Sequence, residues 1–253
     1  MKKIALITGA TAGIGRATAL LLAQHDFDLI ITGRRNDLLE ELKNEISSIY
    51  KAGVITLNFD IRNKAEVDQA VEALPGNWKK IDVLINNAGL AAGLDFIDEG
   101  NVDDWEAMID TNIKGLLYIT RKVSPVMAAN GSGHIVNISS IAGKEVYEKG
   151  NVYAASKHAV EALTKGMRID LLRHNIKVSS VSPGAVETEF SMVRFKGDKG
   201  RADGVYKGYE PLKAEDIAES VLFILTRPAH VNINDMLIMP TAQANATTFN
   251  RGK

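Results

Sequence analysis

Tyr153 and Lys157 are the residues of this sequence best suited to proton chemistry. Four positions apart on a helix, they project from one face a single turn apart. A phenol is a poor base at neutral pH, but a nearby ammonium favours the phenolate. A lysine in that place can also hydrogen-bond a ribose. The Y-x-x-x-K spacing alone decides nothing, because it also occurs at Tyr118/Lys122 and Tyr209/Lys213. Tyr118 falls inside a long helical stretch, where an aromatic packs, and Tyr209 falls in an irregular one with Pro211 before its lysine. Only the middle pair follows a predicted strand ending in Ser139-Ser140, whose hydroxyl can hold a substrate oxygen while hydride moves to or from its carbon.

Such a pair needs a scaffold, and the pattern supplies one. The stretch from Thr8 to Gly15, TGATAGIG, follows the apolar run Ile4 to Ile7 and opens a helical pattern at Ile14, Ala17, Leu20 and Leu21. Strand, glycine turn and helix in that order form a dinucleotide-binding layout. The glycines let the backbone approach a pyrophosphate, and the helix N-terminus offers it free N–H groups. Further strands are predicted at Asp28–Thr32, Val54–Phe59, Ile81–Ile85, His134–Ile138, Lys177–Val181 and Met236–Met239. Helices are predicted over 37–50 with Asn36 as N-cap, from Asn63 to Leu74, and over 102–129, 152–173 and 214–226. Strands apolar on both faces, alternating with helices, predict one α/β domain over 1–253 with a doubly wound parallel sheet.

Ligands of such sheets lie beyond the carboxyl ends of the strands. Those ends hold Gly9, Thr11, Ala12, Gly13, Ile14 and Gly15; Arg34 and Arg35; Asp60 and Ile61; Asn87, Ala88 and Gly89; Ser139 and Ser140; and Pro183, Gly184, Val186 and Thr188. The second strand ends in Gly33-Arg34-Arg35, with no acid to bind ribose hydroxyls. Two guanidiniums suit a 2′-phosphate, so NADP is the expected cofactor. The stretch 186–213 carries Phe190, Met192, Val193 and Phe195 and then several glycines. A loop of that length predicts a substrate-covering lid. Arg194, or Lys196, is its candidate partner for a substrate carboxylate.

The 253 residues suffice for a substantial core, and 45% hydrophobic with 24% charged residues is ordinary for a soluble protein. A net charge of −1 offers no basic surface for nucleic acid or anionic lipid. No apolar run is long enough to span a membrane, and cytoplasmic residence is expected. Cysteine is absent, which excludes disulfides and thiolate metal sites; no metal is expected.

With these residues in place, the chain resembles the short-chain dehydrogenase/reductase family over essentially its whole length. The likeness rests on TGATAGIG (8–15), NNAG (86–89), Asn112, VNISS (136–140), Tyr153-Ala-Ala-Ser-Lys157, and SPG (182–184) with Thr188. It implies a Rossmann-type sheet of seven strands and a catalytic set of Asn112, Ser140, Tyr153 and Lys157, the serine falling thirteen residues before the tyrosine. Asn112 would hold a water linking the lysine to solvent, and Tyr153 and Lys157 would also touch the cofactor. NISS stands where some relatives have glycine before that serine. Within the family, GRR, WEAMIDTNIKGL (105–116), EFSMVRFKGDKG (189–200) and PAHVNINDMLIMPTAQ (228–243) resemble NADP-dependent 3-hydroxy acid dehydrogenases, including serine and L-allo-threonine dehydrogenases. That likeness implies a homotetramer acting on small 3-hydroxy acids. Another carbonyl substrate (a 3-oxoacyl thioester, a sugar) is the alternative, and an NADPH sensor without turnover is a third reading.

Overall fold

A computed structural model describes residues 2–252. Seven parallel strands form one sheet: β1 (Lys3–Ile7), β2 (Phe27–Gly33), β3 (Val54–Asn58), β4 (Val83–Asn86), β5 (Gly133–Ile138), β6 (Ile176–Pro183) and β7 (Asp235–Ile238), in the order β3-β2-β1-β4-β5-β6-β7. The order reverses between β1 and β4, which opens a crevice at the carboxyl ends of those strands. Side chains alternate across the sheet, so one run of strand residues serves two cores. Ala5 and Ile7 of β1 pack with Leu29, Ile31 and Ile85 under α1 (Gly13–Gln24), α2 (Asn36–Ile49) and the later α9 (Ala214–Leu225). Ile4 and Leu6 pack on the other face with Ile30, Leu84 and Ile135, under α3 (Lys64–Glu72) and the later α5 (Leu116–Asn130). That face also takes Tyr118, which packs as the sequence predicts.

Several boundaries move. Asn63 does cap α3, accepting from the amides of Ala65 and Glu66. Asn36, predicted as a cap, is instead the first helical residue. The chain is already extended at Arg35, which takes the cap position without a capping side chain. Ile81 lies before β4, and β7 runs one residue earlier than predicted. The long helix expected over 102–129 is α4 (Val102–Ile109) and α5 joined by a wide π turn, Asp110–Gly115. The stretch beyond β6 is not a bare loop: it folds into α7 (Phe190–Arg194) and α8 (Lys199–Tyr206). The helix α6 (Asn151–Leu171) carries Tyr153 and Lys157 on its buried side.

Candidate functional site

The glycine turn is held from behind. The Asn87 side-chain amide donates to the carbonyls of Thr8 (2.9 Å) and Gly9 (3.1 Å), and the amides of Asn87 and Ala88 both donate to Thr8 Oγ1 at 3.0 Å. Gly15 does not reach the cleft; a Cβ there would lie 2.4 Å from both Asn87 Nδ2 and the Gly9 carbonyl oxygen. Gly13 has φ +52°, a left-handed turn that favours glycine, with Thr188 packed above it. These contacts aim the start of α1 at a cleft of about 410 Å³. Unlike α3 and α4, which asparagines cap, α1 has neither a capping side chain nor an acid in its first turn. Its first amides are left for an anion, which fits the pyrophosphate of a dinucleotide.

All the predicted strand-end residues except Gly15 line this one cleft: Gly9, Thr11 to Ile14, Arg34 and Arg35, Asp60 and Ile61, Asn87 to Gly89, Ser139 and Ser140, Pro183, Gly184, Val186 and Thr188. Arg34 is exposed, 3.9 Å from Asp60, whose carboxyl is held low chiefly by its hydrogen bonds with Arg62. Arg35 spans from Thr11 Oγ1 (3.0 Å) to Glu189 (3.1 Å).

Tyr153 and Lys157 line the same cleft with Ser140, and both are buried. Ser140 Oγ accepts the Ala142 amide at 3.1 Å, which starts a short 3₁₀ turn and fixes the hydroxyl's position. The neighbouring Ser139 hydroxyl is buried without a hydrogen-bond partner. Burial drives the Tyr153 phenol well above its ordinary pKa and Tyr147 adds to the rise, while Ser140 and Arg194 oppose it. The expected ammonium partner differs: Lys157 Nζ donates to the Ile138 carbonyl at 3.0 Å, and the cation beside the phenol is Arg194, its Cζ 5.6 Å from the ring centroid. Burial lowers Lys157 to about 8, with the Glu161 carboxylate one turn along working against the fall.

Asn112 stands behind this group rather than on the cleft wall. It sits in the π turn, accepts the Leu90 amide at 2.9 Å, and donates to the Leu90 carbonyl (2.9 Å) and Ser156 Oγ (3.0 Å). A Cβ on Gly89 would come within 3.2 Å of Asn112 Oδ1 and 3.5 Å of Lys157 Nζ, so the three positions converge. Arg194 lies on the far side of Tyr153, in a small adjoining pocket with Gly93 and Asn151. Its Nε donates to the Gly93 carbonyl at 3.2 Å, and its carbonyl accepts the Gly93 amide at 3.0 Å. Lys196 is engaged elsewhere, 2.8 Å from Asp104. Sequence reasoning passed over Leu90, Thr111 and Glu189, which also line the cleft, and Tyr147, which packs near Tyr153. The first three are signalled only by adjacency to NNAG, Asn112 and Thr188, and Tyr147 by nothing in the sequence.

A family model described as short chain dehydrogenase matches residues 3–199. The chain is 46% identical to the NADP-dependent 3-hydroxy acid dehydrogenase YdfG of Salmonella typhi, over 96% of this chain and 97% of that one. It is 44% identical to the NADP-dependent 3-hydroxy acid dehydrogenase of Schizosaccharomyces pombe, over 96% and 95%. Among solved structures, the closed form of serine dehydrogenase complexed with NADP+ superposes with a TM-score of 0.92 at 43% identity, covering 99% of this chain and 100% of that one.

Proposed function

The chain belongs to the short chain dehydrogenase family, and from that premise we propose that it is an NADP-dependent oxidoreductase interconverting small 3-hydroxy acids, such as serine, and their 3-oxo acids. The supporting observation is convergence: Ser140, Tyr153 and Lys157 line the same cleft as the glycine turn and the arginine pair, with Arg194 against the phenol.

The α1 N-terminus with Gly9 and Thr11–Ile14 would hold the pyrophosphate, Arg34 and Arg35 the 2′-phosphate, and Lys157 a ribose. NADP, when bound, supplies the acceptor or donor of a hydride. Ser140 Oγ holds the substrate oxygen, and Tyr153 Oη exchanges a proton with it. Buried as it is, the phenol is protonated at neutral pH, the form that donates a proton to a carbonyl oxygen in the reductive direction. Oxidation needs the phenolate, which the nearby Ser140 hydroxyl and the Arg194 charge favour. Asn112 ties the Leu90 loop to α6 and so fixes the wall beside the reacting oxygen. Arg194 binds the substrate carboxylate once 186–213 closes as a lid; its tie to Gly93 holds it over the pocket.

We take the protein to work as a cytoplasmic homotetramer. Exposed Ile169 and Leu172 at the end of α6 provide apolar surface for subunit contact, and light scattering measures the assembly directly. None of the described helices is long and apolar enough to cross a membrane. The function is tested by screening the purified protein against short 3-hydroxy acids with NADP and NAD in parallel. Turnover with NADP, lost or transferred to NAD in Arg34→Ala/Arg35→Ala, is expected. No turnover of any 3-hydroxy acid, or equal effects of that double substitution on both cofactors, overturns the reading.

A further inference from the structure

Arg35 already has an anion. Its Nη1 lies 3.1 Å from a carboxylate oxygen of Glu189, while its Nε and Nη2 reach Thr11 Oγ1 at 3.3 and 3.0 Å. The guanidinium therefore stretches from the glycine turn across the cleft edge to the residue preceding α7, 154 positions along the chain. Glu189 lines the same cleft as Arg34, Arg35 and Thr11. Among the described residues its one salt bridge is to Arg35. Of the other cations near it, Arg34 stands by Asp60 and Arg16 is paired with Glu45, while Lys213, which lines an adjoining pocket with Glu189, forms no salt bridge among the described residues. A guanidinium has one planar fork of donors, and a donor directed at a carboxylate is not free for a phosphate oxygen.

We propose that Glu189 is a specificity-determining residue for the cofactor, its carboxylate competing with the 2′-phosphate for Arg35 and so tempering the preference for NADP over NAD. The proposal rests on the assignment of Arg35 to the 2′-phosphate made above. Thr11 can keep its hydrogen bond to Arg35 in either arrangement, since a hydroxyl oxygen bears no charge to repel a phosphate. Glu189 cannot: two anions on one exposed guanidinium repel each other, and the carboxylate is the one the cleft must displace. NAD has no 2′-phosphate and leaves the pair intact.

The test is equilibrium binding of NADP and NAD, read by fluorescence titration, to the parent protein, Glu189→Gln, Arg35→Ala and the double variant. Glu189→Gln keeps the side chain's shape and removes its charge. NADP should bind this variant about two- to fivefold more tightly, the range an exposed ion pair supports, and NAD should bind unchanged. The gain should shrink as salt is added and vanish in the Arg35→Ala background. If Glu189→Gln leaves NADP affinity unchanged or weaker, or tightens NADP equally without Arg35, the competition is overturned. If Arg35→Ala itself leaves the preference for NADP intact, the assignment of Arg35 fails instead, a result distinct from the first.

Discussion

Replacing Lys157 with methionine should make the protein more stable at neutral pH while abolishing its activity. The lysine is 6% exposed and its ammonium has one protein hydrogen-bond partner, the Ile138 carbonyl. Burial lowers it from 10.5 to about 8, a gap that corresponds to about 3 kcal/mol of cost to the folded state wherever both states are protonated. Methionine has nearly the same length and no charge to desolvate. Against that gain stands the Ile138 carbonyl left without its donor, worth about 1–2 kcal/mol. The net at pH 7 is about 1–2 kcal/mol in favour of Lys157→Met, or about 2–8 °C in melting temperature for a chain of this size. The sign changes with pH in a definite way. Below about 8 the native and unfolded chains both carry the charge, and the native chain bears the full burial cost. Between about 8 and 10.5 the native lysine is neutral while the unfolded one is still protonated, so the parent gains stability as pH rises and the variant does not. Urea unfolding of both proteins at pH 7 and pH 10 measures this. A variant less stable than the parent at pH 7, or a difference that does not shrink by pH 10, refutes the reasoning.

Asn112→Ala should cost about 1–3 kcal/mol in urea unfolding, because it leaves both the amide and the carbonyl of Leu90 unpaired in a part-buried setting; a loss below about 0.5 kcal/mol would mean water replaces the side chain at no cost. Gly15→Ala should weaken NADP binding by about tenfold or more: the added Cβ falls 2.4 Å from the Gly9 carbonyl oxygen, which belongs to the turn itself, so the turn must shift. Binding within twofold of the parent, measured by titration, contradicts that. Arg194→Ala should raise KM for serine about tenfold or more, the worth of a hydrogen bond to a charged group, and an unchanged KM removes Arg194 from the carboxylate site.

The sheet and most of the cleft were legible because each depends on local pattern. Apolar runs of strand length end in glycine, asparagine or serine, and the doubly wound arrangement gathers those ends. Ser140, Tyr153 and Lys157 meet because a strand and the following helix are correctly placed. What stayed hidden depends on tertiary contact. The Ile138 carbonyl takes Lys157, and nothing in the spacing of Tyr153 and Lys157 indicates it. Arg194 reaches the phenol only because Gly93, about a hundred residues earlier, holds it by backbone and side chain. The two helices of 186–213 were missed for another reason. One has five residues and the other contains Gly200 and Gly204, so neither shows a stripe long enough to read. Asn36 misled as a cap because residue type gives the preference, while the backbone at Arg35 decides the position.

The wide turn at Asp110–Gly115 corrects the phase of its helix. Met108 and Asn112 before or within it, and Ile119, Val123 and Met127 after it, are all buried. Met108 and Met127 are nineteen residues apart, one more than the eighteen that five regular turns hold. A regular helix would therefore swing one end of this stripe about 100° out of line with the other. By storing the surplus residue in a single loosened coil, the chain lets one rod serve two masters: its leading end faces the reacting groups, its trailing end faces the hydrocarbon interior, and the asparagine sits at the seam.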